Sequence, residues 1–461
     1  MSQPTRDRFP PQIKYLAWNE GCERFSFYGM SSILTIYMVK FLGVREPDAV
    51  ANYQFFVFAV YLTPLVGAWI ADRFLGRYRT ILWLSLGYVF GHAAIAIWDS
   101  PTGLVLGLAL IAIGAGGIKP TAAAYVGDQF DARSQHLLEK VYDLYYWMIN
   151  LGSFTSMLVI PELLTRFGPW VAFSVPGVLM AFALVIFWRG RKLYVNAPPT
   201  GPNPSGFFRV VGLALRRIGT TRPGEHWLDP ARAQFPAEAV EGAKAVFRIL
   251  GVFAPIAAFW ALFFQYGSTW VLQAERMNRE VLGYTVNSSQ MGSLNAIFVL
   301  ATIPVFSALV YPALQRRGVK TLALGKMQVG MYVTVLSFAW VMGVQIALEA
   351  GLRPHVLWQV PAYLFLSIGE VLVSVTALEF AYTQAPPSMK SVIMSLWYVT
   401  IAAGSLLTAA VAKLNRFHGA WYFAFFAGLM LAGALLFSWV ARRYRPTALA
   451  TAHAPVPEAA P

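Results

Sequence analysis

The chain has 461 residues, of which 57% are hydrophobic, 15% aromatic and only 13% charged, a balance that excludes a soluble domain of this length and points to a polytopic helical membrane protein. The net charge of +14 is spread over short connections rather than gathered in one patch, so it reports membrane topology and no nucleic-acid partner is expected. The single cysteine, Cys22, excludes an intramolecular disulfide and a thiolate metal cluster.

The first fourteen residues are polar, carry Arg6, Arg8 and Lys14, and lead without a small-residue cleavage site into an apolar run. That run reads as a retained span and not as a signal peptide. Apolar windows of about 20 residues or more fall at 15–42, 50–72, 80–98, 103–127, 141–164, 169–189, 247–272, 289–314, 321–348, 355–383, 391–412 and 419–441, giving twelve helices.

Inside the first window stand Glu20, Glu23 and Arg24. Each ionised group at a helix centre costs roughly 2.5–3.5 kcal/mol on insertion scales, so three within five residues must pair, face a wet cavity or move protons. Glu20 and Arg24 stand at i,i+4 with Glu23 beside them, on a face that continues through Phe27, Tyr28 and Ser31.

The second window ends in Gly67-Ala68-Trp69-Ile70-Ala71-Asp72-Arg73-Phe74-Leu75-Gly76-Arg77. Small residues allow close helix approach, and an acid followed by arginines at a tight turn can form a clasp between helices that breaks when two halves rock. On that reading Asp72, Arg73 and Arg77 are gating residues, and the run resembles the loop signature of facilitator-superfamily transporters; the alternative is a basic turn that only sets topology. The fourth window holds Gly114-Ala115-Gly116-Gly117-Ile118-Lys119-Pro120. Lys119, in mid-span, needs an anion, and the glutamates of the first window are the candidates; a structural lysine with a snorkelling ammonium is the alternative.

The fifth window begins Tyr145-Tyr146-Trp147-Met148-Ile149-Asn150-Leu151-Gly152-Ser153, and the tenth carries Gly369-Glu370 and then Leu378-Glu379-Phe380. Asn150 and Glu370 are polar groups in apolar surroundings that suit a ligand with a cationic amine, whereas Glu379, near a helix end, reads as structural. The six histidines are scattered without ligand spacing and no nucleophile stands beside a base, so neither a metal site nor an enzyme is expected.

Basic clusters recur in the even-numbered connections and the tails, as Arg73, Arg77 and Arg79; Arg189, Arg191 and Lys192; Arg316, Arg317 and Lys320; Arg442, Arg443 and Arg445, whereas the opposite connections hold few basic residues. Both termini are therefore expected in the cytoplasm. One long connection, about 190–246, divides the spans six and six. Pro198, Pro199, Pro202 and Pro204 stiffen its start, and Phe207, Phe208, Val210, Val211, Leu213, Leu215 and Ile218 then alternate with Arg209, Arg216 and Arg217. That pattern suits a short helix on an anionic leaflet; an unstructured basic linker is the alternative. The expected organisation is an N-terminal six-helix bundle over 1–190, a basic linker over 191–246, a C-terminal six-helix bundle over 247–443 and a disordered tail over 444–461. Two pseudo-symmetric halves with a midplane site between them describe the major facilitator fold, an all-α membrane architecture.

The run Glu20-Gly-Cys-Glu23-Arg24-Phe25-Ser26-Phe27-Tyr28-Gly29, with Tyr61-Leu62-Thr63-Pro64, Lys119-Pro120, Tyr146 to Ser153, and Phe259-Trp260-Ala261-Leu262 with Gln265, resembles the proton-coupled oligopeptide transporter family. The resemblance implies a proton-driven symporter that imports di- and tripeptides by alternating access. Protons would be the coupling ion, with no further cofactor, and a monomer would work in the plasma membrane, taken as a bacterial inner membrane. Carried over position by position, Glu20, Glu23, Arg24 and Lys119 would form the proton-linked network. Tyr28, Tyr61, Lys119, Asn150, Asn295 and Glu370 would line the peptide site, and Trp260 and Trp397 would wall side-chain pockets.

The chain departs from the family pattern at Ser31, where peptide-transporting members usually carry an arginine, at Phe264, usually acidic, and at Gln54, where animal relatives often place a histidine. These losses keep other readings open: a same-fold transporter of nitrate, an organic acid or a peptide-like compound, or a ligand sensor without turnover.

Overall fold

The structure, a computed structural model, describes residues 8–444 apart from 132, 200, 202, 203 and 385–388. The stretch 445–461, and with it nearly all of the expected tail, lies outside the described residues, as does Pro202. Helix α1 (Ile13–Lys40) is enclosed along most of its length and packs mainly on α5. Helix α2 (Glu46–Ile70) tolerates Pro47 because the first turn of a helix needs no internal N–H partner. It runs through a π-helical turn, Ala71–Leu75, into α3 (Gly76–Ile97).

Helix α4 (Pro101–Gly127) is capped by Ser100, whose hydroxyl accepts from the Gly103 N–H at 3.1 Å. Gly67 on α2 faces Gly116 on α4 so closely that a Cβ at Gly67 would stand 2.0 Å from the Gly116 carbonyl oxygen. The small residues read from the sequence are what lets these two helices touch. Helix α5 (Leu138–Arg189) is broken at Gly168.

Among the described residues, eight helical stretches are long and apolar enough to cross a membrane, or nine if the pair 237–253 and 256–275, bent by 48°, is one span. Two of the eight, Glu46–Ile97 and Gln135–Lys192, hold 52 and 58 residues, which at about 1.5 Å per residue far exceeds a hydrocarbon core of about 30 Å. Each is interrupted by a glycine at positive φ, Gly76 at 72° and Gly168 at 80°, a backbone state that other residues rarely adopt. Helix α1 is not among the eight, because Glu20, Glu23 and Arg24 break its apolar run.

Within the connection, α6 (Phe207–Arg216) buries Phe207, Val210 and Ala214 and leaves Phe208 and Leu215 exposed. Its inner face meets α7 (Ala237–Phe253), where the Phe207 and Phe247 rings lie 5.6 Å apart. Helix α7 thus begins inside the stretch expected to be linker. Hydropathy undercounts this segment because of Glu238, Glu241 and Lys244, yet Lys244 is paired with Asp229 at 2.7 Å and Glu241 at 2.8 Å, which permits its burial.

The chain continues through α8 (Ile256–Phe263) and α9 (Thr269–Glu275), broken from each other at Phe264–Gly267, and a two-residue hairpin, β1 (Glu280–Val281) with β2 (Tyr284–Thr285). Helix α10 (Ser293–Val305) passes by a π-helical turn into α11 (Tyr311–Arg316), and α12 (Ala323–Glu349) follows. Helix α13 (Val360–Glu370) passes through a second such turn, Val371–Val375, into α14 (Thr376–Gln384). Helices α15 (Lys390–Leu414) and α16 (Gly419–Arg443) complete the described chain.

The N-terminal helices meet the C-terminal ones chiefly where α2 lies along α15 and α5 against α10. At one end of this seam three ion pairs join the halves: Lys40 with Glu275, Arg276 with Glu46 at 2.6 Å, and Lys413 with Asp48 at 2.8 Å. Just below them the Thr35 hydroxyl donates to the Gly267 carbonyl at 2.9 Å, and the Gln54 amide reaches the Ser268 hydroxyl at 3.4 Å.

Candidate functional site

Helical spacing alone brings Glu20 and Arg24 together, and they pair at 2.9 Å. Glu23 approaches the same Arg24 Nε at 2.7 Å and is fully shielded from solvent, with the Tyr88 phenol beside it. One guanidinium therefore serves two carboxylates, and Glu23 depends on it because an unpaired buried charge is costly. The phenol of Tyr28, one turn on, faces Arg24 as well.

Lys119 stands on α4, across from this group. The expected ion pair with a glutamate is absent among the described residues: its ammonium lies over the Phe27 ring, 4.1 Å from the centroid, and 5.3 Å from that of Tyr61. Both glutamates are already committed to Arg24, so the aromatic faces solvate the lysine in their place. Glu20, Arg24, Lys119 and Tyr61 all border one cavity of about 330 Å3, together with Tyr146 of α5 and Tyr398 of α15. Tyr398 supplies a wall from the C-terminal half.

On the C-terminal side, Glu370 closes α13 immediately before the π-helical turn, and its carboxylate accepts from the Asn295 amide of α10 at 2.9 Å. The same amide reaches the Ser367 hydroxyl at 3.0 Å. Glu370 is within electrostatic reach of Tyr28 and Tyr146 across the seam. Trp260 and Trp397 meet edge to face with centroids 5.6 Å apart, and Phe264 stacks on Trp260 at 5.8 Å. Tyr61 joins this aromatic group to the lysine, lying 5.4 Å from Phe264 and 6.2 Å from Tyr398. The indole N–H of Trp260 is buried without a partner among the described residues.

Besides the Lys119 ion pair, two sequence expectations differ in detail. Asn150, like Tyr28, Asn295, Glu370, Trp260 and Trp397, is not among the residues that line this cavity; its amide donates to the Tyr146 carbonyl one turn back at 2.8 Å, a local bond that a helix offers to any asparagine. Arg77 does not clasp Asp72: it pairs with Asp128 at the end of α4 at 2.5 Å and also donates to the Ala124 carbonyl. This clasp lies within the N-terminal half, because Arg77 follows the Gly76 break and so projects toward α4. Arg73 rests near the Phe74 ring, and the Asp72 carbonyl accepts from the Gly201 N–H at 3.3 Å.

Sequence reading missed Asp128, Ser367, Tyr398 and the role of Phe27. Tyr398 directly follows the indole that was singled out, whereas Asp128 gave no signal beyond being an acid at a helix end. The departures from pattern are accommodated locally: Ser31 donates to the Phe27 carbonyl at 2.7 Å, and Phe264 adds its ring to the Trp260 stack.

The model of the family described as "PTR2: POT family" matches residues 78–435. The chain is 38% identical over 361 residues to solute carrier family 15 member 2 of Homo sapiens, covering 74% of this chain and 50% of the human protein. It is 39% identical over 359 residues to peptide transporter family 1 of Drosophila melanogaster, covering 74% and 48%. The chain thus spans about half the length of the curated relatives it matches. Among solved structures it resembles the POT family transporter PepTSo, with a TM-score of 0.89, 38% identity, and 95% of this chain and 99% of that chain covered. An auto-inhibited POT family peptide transporter gives a TM-score of 0.88 at 37% identity, covering 95% and 98%. The match spans both halves and the seam between them, and the chain belongs to the POT family.

Proposed function

We propose that this protein is a proton-coupled symporter that moves di- and tripeptides by alternating access. The observation that carries this reading is the cavity bordered by Glu20, Arg24 and Lys119, with buried Glu23 paired to the same Arg24 and Glu370 within electrostatic reach of Tyr28 across the seam. A peptide carboxylate would be received by Lys119 or Arg24, and its amine by Glu370 with Asn295. Tyr28, Tyr61 and Tyr398 would line the backbone, and Trp260 and Trp397 would wall side-chain space. An extended dipeptide is about 7 Å long at roughly 3.3–3.6 Å per residue, a length suited to a ligand bridging two halves.

A proton arriving at Glu20 or Glu23 would cancel one of the two charges that hold Arg24, and the released guanidinium or Lys119 would then take the peptide carboxylate. Closure around the peptide and release of the proton on the far side would restore the pairing. The ion pairs Lys40–Glu275, Arg276–Glu46 and Lys413–Asp48 support a state shut at one end of the seam. On the reading that both termini are cytoplasmic and twelve helices cross the membrane, that end is the outer one. Asp72 and Arg73 remain gate candidates at the inner end, with the Arg77–Asp128 pair bracing α3 to α4. The remainder of the reading is a monomer in a bacterial inner membrane, using protons alone for coupling and leaving the peptide chemically unchanged.

The test is pH-gradient-driven uptake of labelled di- and tripeptides into liposomes, wild type against Lys119→Ala. Gradient-dependent accumulation that the variant loses is the expected result. Accumulation of nitrate or an organic acid in place of peptides would favour the second reading, which the uncharged Ser31 and Phe264 support; binding without any uptake would indicate a sensor.

A further inference from the structure

A second, larger cavity of about 750 Å3 opens between the end of α2, the start of α15, Gly201 and the start of α6 with Gly206. It shares no residue with the peptide cavity. Its walls are mainly apolar: Val66 and Trp69 of α2 are 55% and 56% exposed, and Val392 and Leu396 of α15 face them. Phe207 and Phe208 of α6 contribute the remaining apolar wall.

The rim has a different character. Arg73 and Arg209 both border the cavity and are exposed, and no carboxylate among the described residues lies within ion-pair distance of either. Among the described lining residues Asp72 is the one acid, so cations outnumber it two to one. From Asp72 down to Leu65 the helix descends seven residues, about 10 Å at 1.5 Å each, which carries the groove from helix end to the depth of acyl chains.

We propose that this groove is a binding site for an anionic phospholipid. An apolar cleft facing a bilayer is filled by hydrocarbon, and a rim of two unpaired guanidinium groups selects a headgroup whose phosphate is not offset by a cation of its own. The amphipathic α6 borders the cleft and brings Arg209 to its rim, while Phe207 anchors it to α7. Because the walls come from both halves, the shape of the cleft depends on how α2 and α15 lie against each other at this end. Lipid occupancy is therefore coupled to closure there, a consequence that rests on the alternating-access reading, whereas the binding itself does not.

The test is native mass spectrometry of the delipidated full chain, titrated with phosphatidylglycerol, phosphatidylethanolamine or phosphatidylcholine of matched acyl chains. Phosphatidylglycerol is expected to bind at least about tenfold tighter than the other two. The Arg73→Gln/Arg209→Gln protein should lose that preference, and Ser395→Trp, which fills the cleft, should lower occupancy by all three lipids. Arg416→Gln, at the opposite end of the seam, should leave the preference intact. Equal binding of the three lipids, tighter binding of phosphatidylethanolamine, an unchanged double variant, or an equal loss in Arg416→Gln would overturn the proposal.

Discussion

The Lys119 ammonium sits 4.1 Å from the centroid of the Phe27 ring, while both nearby glutamates are engaged by Arg24. A cation held by aromatic faces keeps its N–H donors free. A desolvated cation–π contact supplies about 2 kcal/mol, enough to hold the side chain without consuming the site's capacity for a carboxylate.

Lys119→Gln should therefore weaken dipeptide binding roughly ten- to hundredfold, the equivalent of about 1.5–3 kcal/mol for a charge-assisted hydrogen bond. Titration calorimetry with a dipeptide and its C-terminal amide separates the carboxylate contribution: the wild type should discriminate between them, and the variant should not. Equal discrimination by both proteins would remove Lys119 from carboxylate recognition.

Glu23 has no solvent contact; Arg24 is its ion-pair partner, with the Tyr88 phenol beside it. Glu23→Gln should abolish uphill uptake while leaving counterflow near the wild-type rate, because the neutral amide mimics the protonated acid but cannot release a proton. Glu20→Gln should behave in the same way. Undiminished proton-driven accumulation by both variants in liposomes would contradict the coupling role.

Three ion pairs pin one end of the seam, and exposed pairs contribute about 0.2–1 kcal/mol each. Replacing Lys40, Arg276 and Lys413 together by glutamine should shift the balance toward opening at that end by about 0.6–3 kcal/mol. Spin labels placed in loops 41–45 and 415–418 would report a longer-distance population that grows in the variant and shrinks with lower salt in the wild type. Unchanged distance distributions would show that the buried contacts of Thr35 and Gln54 suffice.

Burial, and then the neighbouring Lys244, hold the His226 imidazole of the linker below its ordinary value; Arg248 acts in the same direction, and Asp229 and Glu241 oppose it. The ring accepts from the Leu228 N–H at 3.2 Å, which only its neutral form can do. The folded linker resists protonation more than the unfolded one, so this stabilisation is fully present above about pH 6.5 and is lost as pH falls through the depressed folded value. Hydrogen exchange across 222–233, corrected for intrinsic rates, should accelerate on moving from pH 7.5 to 5, and His226→Asn should remove that dependence.

Much of this protein follows from local regularities in the chain. The apolar windows mark helices because hydrocarbon forces each backbone to satisfy its own hydrogen bonds, and the Glu20–Arg24 pair follows from four-residue spacing on one helix. The exceptions come from the same rule: α7 begins earlier than hydropathy indicates because Lys244 meets Asp229 and Glu241.

Tertiary packing alone decided the rest. Arg77 finds Asp128 51 residues away, and Asn295 finds Glu370 75 residues away. Lys119 settles on Phe27 although two carboxylates were the simpler partners on paper. Helical periodicity states which side chains share a face of one helix, but which faces meet depends on close packing of small residues such as Gly67 against Gly116. A buried charge then takes whichever partner that packing brings within reach, so sequence spacing names the charged groups and the assembled bundle selects their pairs.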